Sequence, residues 1–233
     1  MDKLKELSLF FPAYNEESNV RETVEQAVPV LKKVAEKYEL IIVNDGSKDR
    51  TGEIAKELAR KYSFIKIITH SPNQGYGGAL RSGFYNSKYE WIVFTDIDRQ
   101  FDFTEITKLI EKSDSADFVV GYRISRADSF SRKLFGFGWT LLVGLLLGIK
   151  VRDIDCAFKL VRKKVIDTIP KLESTRGGMI SPELLGKATK AGFKIVEVGV
   201  HHYPRKEGKQ TGANLKVIIK SFVDLGKLWW KIK

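Results

Sequence analysis

Short apolar runs alternate with amphipathic segments along the first half of the chain. The apolar runs that predict strands occupy residues 7–12, 40–43, 64–69, 91–95 and 118–122. Between them, apolar residues at helical spacing predict helices over residues 16–38, 50–62, 79–87 and 102–111. Asp49 is expected to cap the second helix, and Pro29 should kink or break the first. This alternation predicts an α/β fold with a mostly parallel sheet flanked by helices on both faces.

After Arg123 the pattern is less regular. It predicts strands over residues 158–161 and 194–200 and helices over residues 182–191 and 215–232. Residues 134–149 form a 16-residue run without a charge. As a helix this run would be about 24 Å long, which is short of a hydrocarbon core of about 30 Å. We therefore expect a helix that is buried in the fold or lies at a membrane surface, not a membrane span.

The final predicted helix is amphipathic, and two interpretations of it stay open. One face carries lysines at helical spacing, and the neighbouring face is apolar: Lys216, Lys220, Lys227 and Lys231 against Ile218, Phe222, Leu225 and Trp229. Either the helix packs on the core and its lysines are solvated, or it is an interfacial anchor. In the second case Trp229 and Trp230 would lie at the level of the lipid headgroups.

Composition and charge narrow the class of protein. The 233 residues are 43% hydrophobic and 30% charged, which suits a packed core and argues against disorder. The formal net charge of +11 lies wholly in residues 150–233, because residues 1–149 contain 21 basic and 21 acidic residues. The basic part is expected to meet an anionic partner, namely nucleic acid, anionic lipid or a phosphorylated substrate. A single cysteine, Cys156, excludes an internal disulfide framework and indicates a reducing compartment.

Two carboxylates directly follow the buried strand 91–95. Asp96 and Asp98 are two residues apart, and in an extended segment side chains at this spacing point to the same side. Together with Gln100 they can converge on one hard cation, and oxygen ligands favour Mg²⁺ or Mn²⁺. Two acids at a strand end are also common as caps and turn formers. Their position after a parallel strand, where α/β sheets bind ligands, favours the metal site.

Two further acidic segments end neighbouring strands. Asp45 follows the strand 40–43, where it either forms a turn and helix cap or accepts a hydrogen bond from a nucleotide base or ribose. Glu16 follows the first strand. Because three acidic segments at one sheet edge would repel a nucleotide diphosphate, a cation is inferred. The glycine-rich segment 73–81 is either a plain loop or a turn that approaches phosphates.

In this order and spacing, the segments resemble the family 2 glycosyltransferases of the GT-A fold, whose central sheet is Rossmann-like. The matching segments are F-P-A-Y-N-E-E from Phe11, V-N-D-G-S-K-D-R-T from Val43, N-Q-G-Y-G-G-A-L-R from Asn73 and D-I-D-R-Q from Asp96. Residues 153–160 resemble a D-x-x-C-G-F-K-L block, with Ala157 in place of the glycine. The similarity is strongest to polyprenyl-phosphate hexose synthases, such as dolichol-phosphate mannose synthase and dolichyl-phosphate glucosyltransferase. One departure is that Phe101-Asp102-Phe103 follows Gln100, where the family often has His/Asp-Pro-Pro.

The resemblance implies roles for individual residues. Asp45 would contact the nucleobase, and the residues around the nucleoside would be Pro12, Ala13, Tyr14 and Glu16. Asp96, which also belongs to the donor site, would hold Mg²⁺ or Mn²⁺ with Asp98 and Gln100. Arg123 and Arg132 would bind the acceptor and donor phosphates, and with Asp98 they form the predicted catalytic set. Arg205 and Lys209 belong to a late loop, residues 203–212, whose glycines and charges predict a lid that closes over the donor phosphates.

The expected reaction is an inverting, metal-dependent transfer of a hexose from a nucleotide-sugar, of the GDP-mannose or UDP-glucose type, to a polyprenyl or dolichyl monophosphate. A lipid phosphate is already anionic and needs no general base. A second hypothesis keeps the donor site but uses a hydroxyl of a glycan or another soluble acceptor, with Asp155 or Glu183 as the base. A third is a non-enzymatic binder of nucleic acid or acidic membranes, which gives no reason for the paired aspartates. His201 and His202 are expected to be structural.

These expectations define one catalytic domain, residues 1–233, without a signal peptide. Residues 1–123 would bind the nucleotide-sugar and the metal, and residues 124–233 would face the acceptor and the membrane. The predicted location is cytoplasmic, peripheral to the cytoplasmic face of a membrane with an anionic surface. A homo-oligomer or a membrane-protein partner is compatible with this prediction, whereas a nucleic-acid partner is not expected.

Overall fold

A seven-stranded sheet forms the centre of the molecule. The computed structural model describes residues 3–124, 130–175, 177–205 and 215–232. The strands are β1 (Leu4–Ala13), β2 (Ala35–Asn44), β3 (Ile65–Thr69), β4 (Trp91–Thr95), β5 (Phe118–Arg123), β6 (Phe158–Arg162) and β7 (Ile195–Val200). Their order across the sheet is β3-β2-β1-β4-β6-β5-β7.

Eight helices connect and cover these strands within the described ranges. They are α1 (Val20–Val34), α2 (Thr51–Lys61), α3 (Tyr76–Asn86), α4 (Ile106–Ile110), α5 (Phe130–Leu147), α6 (Lys163–Thr168), α7 (Ile180–Lys190) and α8 (Leu215–Ile232). Two short 3₁₀ helices, Phe103–Glu105 and Gly177–Met179, precede α4 and α7.

The strand directions confirm the predicted α/β architecture. β1, β2, β3 and β4 are parallel to one another, and β5 is parallel to β7, whereas β6 runs antiparallel to both β4 and β5. Because only β6 is reversed, the carboxyl ends of the other six strands lie at one edge of the sheet. This edge is where parallel sheets bind their ligands.

The predicted helix over residues 16–38 is wrong at both ends. α1 ends at Val34, and β2 begins at the next residue. β1 and β2 pair from Leu4↔Ala35 onward, so ladder hydrogen bonds extend both strands into charged sequence that shows no apolar run. Of the kink or break expected at Pro29, the break is wrong, since α1 continues through the proline. The buried residues of α1 lie on both sides of the proline and hold the helix to the sheet across it.

Other boundaries agree more closely. β4 and α8 begin and end at the predicted residues. The predicted helix over residues 102–111 is instead a 3₁₀ turn followed by the short α4, and α6 was not predicted. Asp49 lies one residue before the N-cap position, but its carboxylate accepts a hydrogen bond from the Thr51 N–H at 3.0 Å. Asp49 thus accepts a hydrogen bond from the first turn of α2, as a capping residue would, although it lies one position before the N-cap.

Successive side chains of the central strands point to opposite faces of the sheet and pack into a hydrophobic core on each face. Leu9 and Phe11 pack beneath α1, α2 and α4, whereas Phe10 packs beneath α3 together with Phe84 and Phe94. α3 approaches β1 very closely: a Cβ at Gly83 would lie 2.3 Å from a ring carbon of Phe10. This contact holds α3, and the turn before it, against the sheet edge that carries the acids.

α5 and α8 bury one side and expose apolar side chains on the other. Val143 and Leu147 of α5, and Leu225, Leu228 and Ile232 of α8, belong to the core. The exposed apolar side chains are Leu134, Phe135, Phe137, Leu141, Leu145 and Leu146 on α5, and Phe222, Val223 and Trp230 on α8. We call these nine residues the apolar face. The last helix packs on the core, as the first interpretation expects, and the interfacial anchor stays a prediction.

In the ranges that the structure describes, no helix combines the length and the apolarity that crossing a membrane requires.

Candidate active site

The carboxyl ends of β1, β2 and β4 open into a polar cleft of about 490 Å³. Ala13 and Asn44 end their strands in register, and the Asp45 N–H donates to the Ala13 carbonyl at 2.8 Å. Asp96 directly follows β4. The predicted site residues that line the cleft are Pro12, Ala13, Tyr14, Glu16, Asp45, Asp96, Asp98 and Arg205. Three separate segments and the late loop thus meet at one place, as expected from the sheet edge.

Asp45 is buried and held in one orientation. Its Oδ1 lies 2.6 Å from His70 Nδ1 and accepts a hydrogen bond from the Gln74 N–H at 2.8 Å. His70 Nε2 in turn lies 2.8 Å from Ser82 Oγ. A carboxylate has two oxygens, so one that is oriented in this way can still accept a hydrogen bond from a ligand. This geometry suits the predicted role of Asp45 toward a nucleobase.

Asp96 and Asp98 form a desolvated acidic pair in the same cleft. The Tyr76 hydroxyl donates to Asp96 Oδ1 at 2.9 Å, and the Gln100 N–H donates to Asp98 Oδ1 at 3.1 Å. Burial, and then repulsion from the Asp98 carboxylate, raises the pKa of Asp96 to about 7. Burial likewise raises the pKa of Asp98. Two acids that oppose each other's ionisation would be stabilised as carboxylates by a bound cation.

The donor set fits a hard divalent cation. Carboxylate oxygens are the ligands that Mg²⁺ prefers, and Mg²⁺ commonly uses one or two of them together with substrate phosphates. Among the described residues, no three histidine, cysteine, aspartate or glutamate side chains are grouped in a way that could hold a metal ion. Asp96 and Asp98 would therefore supply two ligands, and other ligands would have to come from elsewhere.

Arg205 brings a positive charge into this acidic cleft. Its guanidinium forms an ion pair with Glu16, and its Nη1 lies 3.6 Å from Asp98 Oδ2. The segment before it is anchored by Gln100, whose carbonyl accepts from the Tyr203 N–H at 2.8 Å and whose Nε2 donates to the Tyr203 carbonyl at 3.1 Å. Arg205 therefore places a guanidinium group among the acids of the cleft.

The structure does not bring every predicted residue into the cleft. The side-chain amide of Gln100 contacts Tyr203 and does not line the cleft, so its role as a metal ligand stays a prediction. Arg123 ends β5 at the same sheet edge, but its Nε and Nη2 donate to the two Asp153 oxygens at 2.6 and 2.7 Å. To bind a phosphate, Arg123 would have to share or break this ion pair.

Two predicted phosphate-binding residues cannot be placed. Arg132 belongs to α5, but its side chain lies outside what the structure describes, and Lys209 lies outside the described residues altogether. Their roles toward the acceptor and donor phosphates stay predictions.

Sequence reasoning missed residues that orient the acids. His70 follows β3 and thus lies at the same sheet edge, which is a signal that could have identified it. Tyr76 belongs to the glycine-rich segment that was interpreted as a plain loop or a phosphate-approaching turn. Its aromatic side chain had no predicted role, although it is the hydrogen-bond donor to Asp96.

The two carboxylates considered as a general base differ in their surroundings. Glu183 is buried, pairs with Lys187 at 2.5 Å and accepts the N–H groups of Glu173 and Ser174 at 2.8 Å each. These contacts give it a structural role outside the cleft. Asp155 is exposed and lies between the buried residues Ile154 and Cys156.

The two histidines near the late loop contact neighbouring side chains, as expected for structural residues. His201 Nδ1 lies 2.7 Å from Glu105 Oε1, and the backbone N–H of His201 donates to Glu105 Oε2 at 2.7 Å. The His202 ring packs edge-on against Phe101 at 5.2 Å.

A larger cavity, of about 840 Å³, lies between α7, α8 and residues 170–175. Its acidic side chains are engaged by lysines: Glu183 by Lys187, Glu173 by Lys231 and Asp224 by Lys227. Each acid that lines this cavity is thus paired with a lysine, whereas in the cleft at the strand ends burial and neighbouring acids raise the pKa of Asp96 and Asp98. We therefore assign the chemistry to the smaller cleft.

Comparisons with known proteins agree with the geometry. Residues 8–169 match the family model described as Glycosyl transferase family 2. The chain is 32% identical to the dolichyl-phosphate beta-glucosyltransferase of Homo sapiens, in an alignment that covers 84% of this chain and 67% of that protein. It is 27% identical to the undecaprenyl-phosphate 4-deoxy-4-formamido-L-arabinose transferase of Pectobacterium atrosepticum, covering 94% of this chain and 66% of that protein.

A solved structure supports the fold. Glucosyl-3-phosphoglycerate synthase from Mycobacterium tuberculosis, in complex with Mn²⁺ and UDP-glucose, superposes with a TM-score of 0.70 at 16% identity. The similarity covers 95% of this chain and 79% of that one. At this identity the likeness concerns the fold alone, which is the predicted GT-A type.

Proposed function

Because the chain belongs to glycosyl transferase family 2 and is a glycosyltransferase, we propose that it transfers a hexose from a nucleotide-sugar to a polyprenyl or dolichyl monophosphate with inversion. The resemblance seen in the sequence is confirmed at the level of the family and its polyprenyl-phosphate branch. The acceptor and donor named here are our inference for this chain. The similarity to transferases named for dolichyl and undecaprenyl phosphates supports it.

The apolar face is the observation that best supports a lipid as the acceptor. Nine exposed apolar side chains on two helices are more than a transferase for a soluble acceptor would need. The chain passes from the cleft edge at Arg123 to the start of α5 at Phe130, so the helix that carries most of this face follows directly on the edge where the donor site lies. We infer that the face lies on a membrane and presents the cleft to a lipid headgroup.

The donor we favour is a UDP-activated hexose, with UDP-glucose as the first candidate. The human relative is named as a glucosyltransferase, and it resembles this chain over most of its length. GDP-mannose, the other donor type considered from the sequence, has no such support among the relatives described above. Asp45, oriented by His70, would accept a hydrogen bond from the base at one end of the cleft.

At the other end of the cleft, Asp96 and Asp98 would hold the divalent cation, Mg²⁺ or Mn²⁺. When bound, such a cation acts as a Lewis acid that stabilises the charge developing on the leaving diphosphate. Arg205 would exchange its contacts with Glu16 and Asp98 for the donor phosphates. The acceptor phosphate is itself the nucleophile: its oxygen forms the new bond to the anomeric carbon as the bond to the diphosphate breaks.

No proton has to be removed from a phosphate monoanion or dianion, so this reaction needs no general base. The contacts of Glu183 with Lys187 and two backbone N–H groups agree with that. A hydroxyl acceptor would require a base at the cleft, for which Asp155 is the remaining candidate. The division into a donor part, residues 1–123, and an acceptor part, residues 124–233, and the cytoplasmic side of the membrane stay predictions.

The decisive experiment supplies the purified chain with UDP-glucose, Mn²⁺ and vesicles that contain a polyprenyl phosphate. We expect a lipid-linked hexose detectable by mass spectrometry, and none when the phosphate is replaced by the free polyprenol. GDP-mannose in parallel reactions tests the donor. Transfer to a soluble hydroxyl acceptor without any lipid-linked product would instead support the second hypothesis, and no turnover of any donor would support a non-catalytic binder.

Arg205→Ala is expected to raise the donor KM about tenfold, because the diphosphate loses a charge-assisted hydrogen-bonding partner. Initial rates at varied UDP-glucose concentration measure it. Arg205→Lys should recover part of the effect, since lysine keeps the charge but not the bidentate geometry. Arg60→Ala, an exposed arginine of α2, is the matched control and should behave as wild type. Unchanged KM and kcat in Arg205→Ala would contradict the role.

A further inference from the structure

One short turn connects the two ends of the cleft. At its start, Asn73 Nδ2 donates to the Asp45 carbonyl at 2.6 Å, and the Gln74 N–H donates to Asp45 Oδ1 at 2.8 Å. At its end, the Tyr76 hydroxyl donates to Asp96 Oδ1 at 2.9 Å. Residues 73–76 therefore contact the acid proposed for the nucleobase and an acid proposed for the cation.

The backbone on both sides of Tyr76 is fixed by packing. Gly75 has a φ of +82°, which glycine adopts readily, and its N–H donates to Asn73 Oδ1 at 3.0 Å. A Cβ at Gly77 would lie 2.5 Å from the Ser174 carbonyl oxygen, and the Gly78 N–H donates to the Thr175 carbonyl at 3.0 Å. Tyr76 is thus the first residue of a helix whose start is held against residues 174–175, and its side chain projects from a rigid base.

The chemistry of Tyr76 suits a permanent hydrogen-bond donor. A phenol hydroxyl is protonated at neutral pH, whereas an ionised carboxylate can only accept hydrogen bonds. The Tyr76 hydroxyl is therefore the donor in its contact with Asp96. Because Tyr76 is 37% exposed and lines the cleft, it lies where a donor substrate would pass.

We propose that Tyr76 is a positioning residue that fixes the rotation of the Asp96 carboxylate toward the divalent cation and ties this orientation to Asp45. A neighbouring donor that orients a ligating carboxylate contributes to metal affinity without touching the metal. The inference rests on the proposed function, in which Asp96 holds the cation. Since residues 73–76 also hold Asp45, nucleotide and cation should bind with positive coupling that depends on the Tyr76 hydroxyl.

The test measures Mn²⁺ binding to the full chain by calorimetry in the absence of any donor or lipid. Tyr76→Phe keeps the ring and removes only the hydroxyl, and we expect its Mn²⁺ affinity to fall about tenfold with little change in Tm. Tyr85→Phe is the matched control. It removes a hydroxyl from the same helix, where Tyr85 accepts the Leu172 N–H at 2.8 Å, and it should leave the Mn²⁺ affinity unchanged.

Two further measurements distinguish positioning from a general structural effect. Asp96→Asn combined with Tyr76→Phe should bind Mn²⁺ no more weakly than Asp96→Asn alone, because the hydroxyl acts through Asp96. UDP should tighten Mn²⁺ binding to the wild type more than to Tyr76→Phe.

Wild-type Mn²⁺ affinity in Tyr76→Phe, an additive loss in the double variant, or no Mn²⁺ binding by the wild type would each overturn the proposal. The Mn²⁺ titration of the wild type and Tyr76→Phe contains neither donor nor lipid. If Mn²⁺ affinity depends on Tyr76 but no lipid-linked hexose forms, the proposed acceptor is contradicted and the positioning role of Tyr76 stands.

Discussion

Replacing Asp98 by Asn is expected to lower kcat/KM for hexose transfer about a thousandfold at a Mn²⁺ concentration that saturates the wild type. The amide keeps the shape of the side chain but removes one of the two negative charges proposed to hold the cation. Losing about 4 kcal/mol of the stabilisation that a cation gives to the leaving diphosphate corresponds to this factor. Initial rates of lipid-linked hexose formation, measured over a range of Mn²⁺ concentrations, provide the test.

The loss should not come from unfolding. Asp98 is a buried acid whose pKa is raised by desolvation, so a neutral amide at this position relieves an unfavourable burial of charge. We therefore expect the Tm of Asp98→Asn to be close to that of the wild type.

Asp114→Asn is the matched control for this substitution. Asp114 is exposed and precedes β5, so it lies at the sheet edge opposite the cleft, toward which the carboxyl end of β5 points. An Asp98→Asn rate within tenfold of wild type would contradict the metal-binding role, and an equal loss in Asp114→Asn would show that the assay does not report on the cleft.

The double substitution of Phe135 and Phe137 by Ser is expected to weaken binding to vesicles about a hundredfold. These rings are 72% and 66% exposed, so little of their area is used in the fold. Transferring an apolar side chain of this size out of water contributes about 1.5–3 kcal/mol, and a combined loss of about 3 kcal/mol corresponds to a hundredfold or slightly more. Flotation of the protein with vesicles that contain anionic lipid measures the partition.

Gly138→Ser provides the matched control on the same helix. A Cβ at Gly138 would meet nothing within 4 Å, so the change adds a hydroxyl at an exposed position of α5 without removing apolar area. Vesicle binding should then stay within a few-fold of wild type. Transfer to a lipid acceptor should fall in the double variant, while donor binding, measured without vesicles, should not change. Undiminished flotation of the double variant would contradict the apolar face as the membrane contact.

Local sequence patterns predicted the parts of the fold that depend on local physics. β4 was predicted from Trp91 to Thr95 because five consecutive buried residues need no information from elsewhere in the chain. The acids at the ends of β1, β2 and β4 could be placed together for a related reason, since parallel strands bring their carboxyl ends to one edge. The motifs that resemble family 2 glycosyltransferases lie in these same segments.

Contacts between distant segments could not be predicted in this way. β6 pairs between β4 and β5 and runs antiparallel to both, and its own five residues carry no sign of either fact. Arg205 lies beside Glu16, 189 positions away along the chain, and Arg123 pairs with Asp153. The side-chain amide of Gln100 contacts Tyr203, 103 positions later, and its role as a third metal ligand stays a prediction.

The sequence by itself therefore determined the order of the strands along the chain, the acidic edge and the family, because periodicity and short motifs are local properties. Tertiary structure alone decided which partner each polar side chain has. It assigned His70 to Asp45 and Tyr76 to Asp96, and it left the apolar face of α5 and α8 exposed. The physical reason is that a buried polar group takes the partner that packing brings within hydrogen-bonding distance, and that partner can come from any part of the chain.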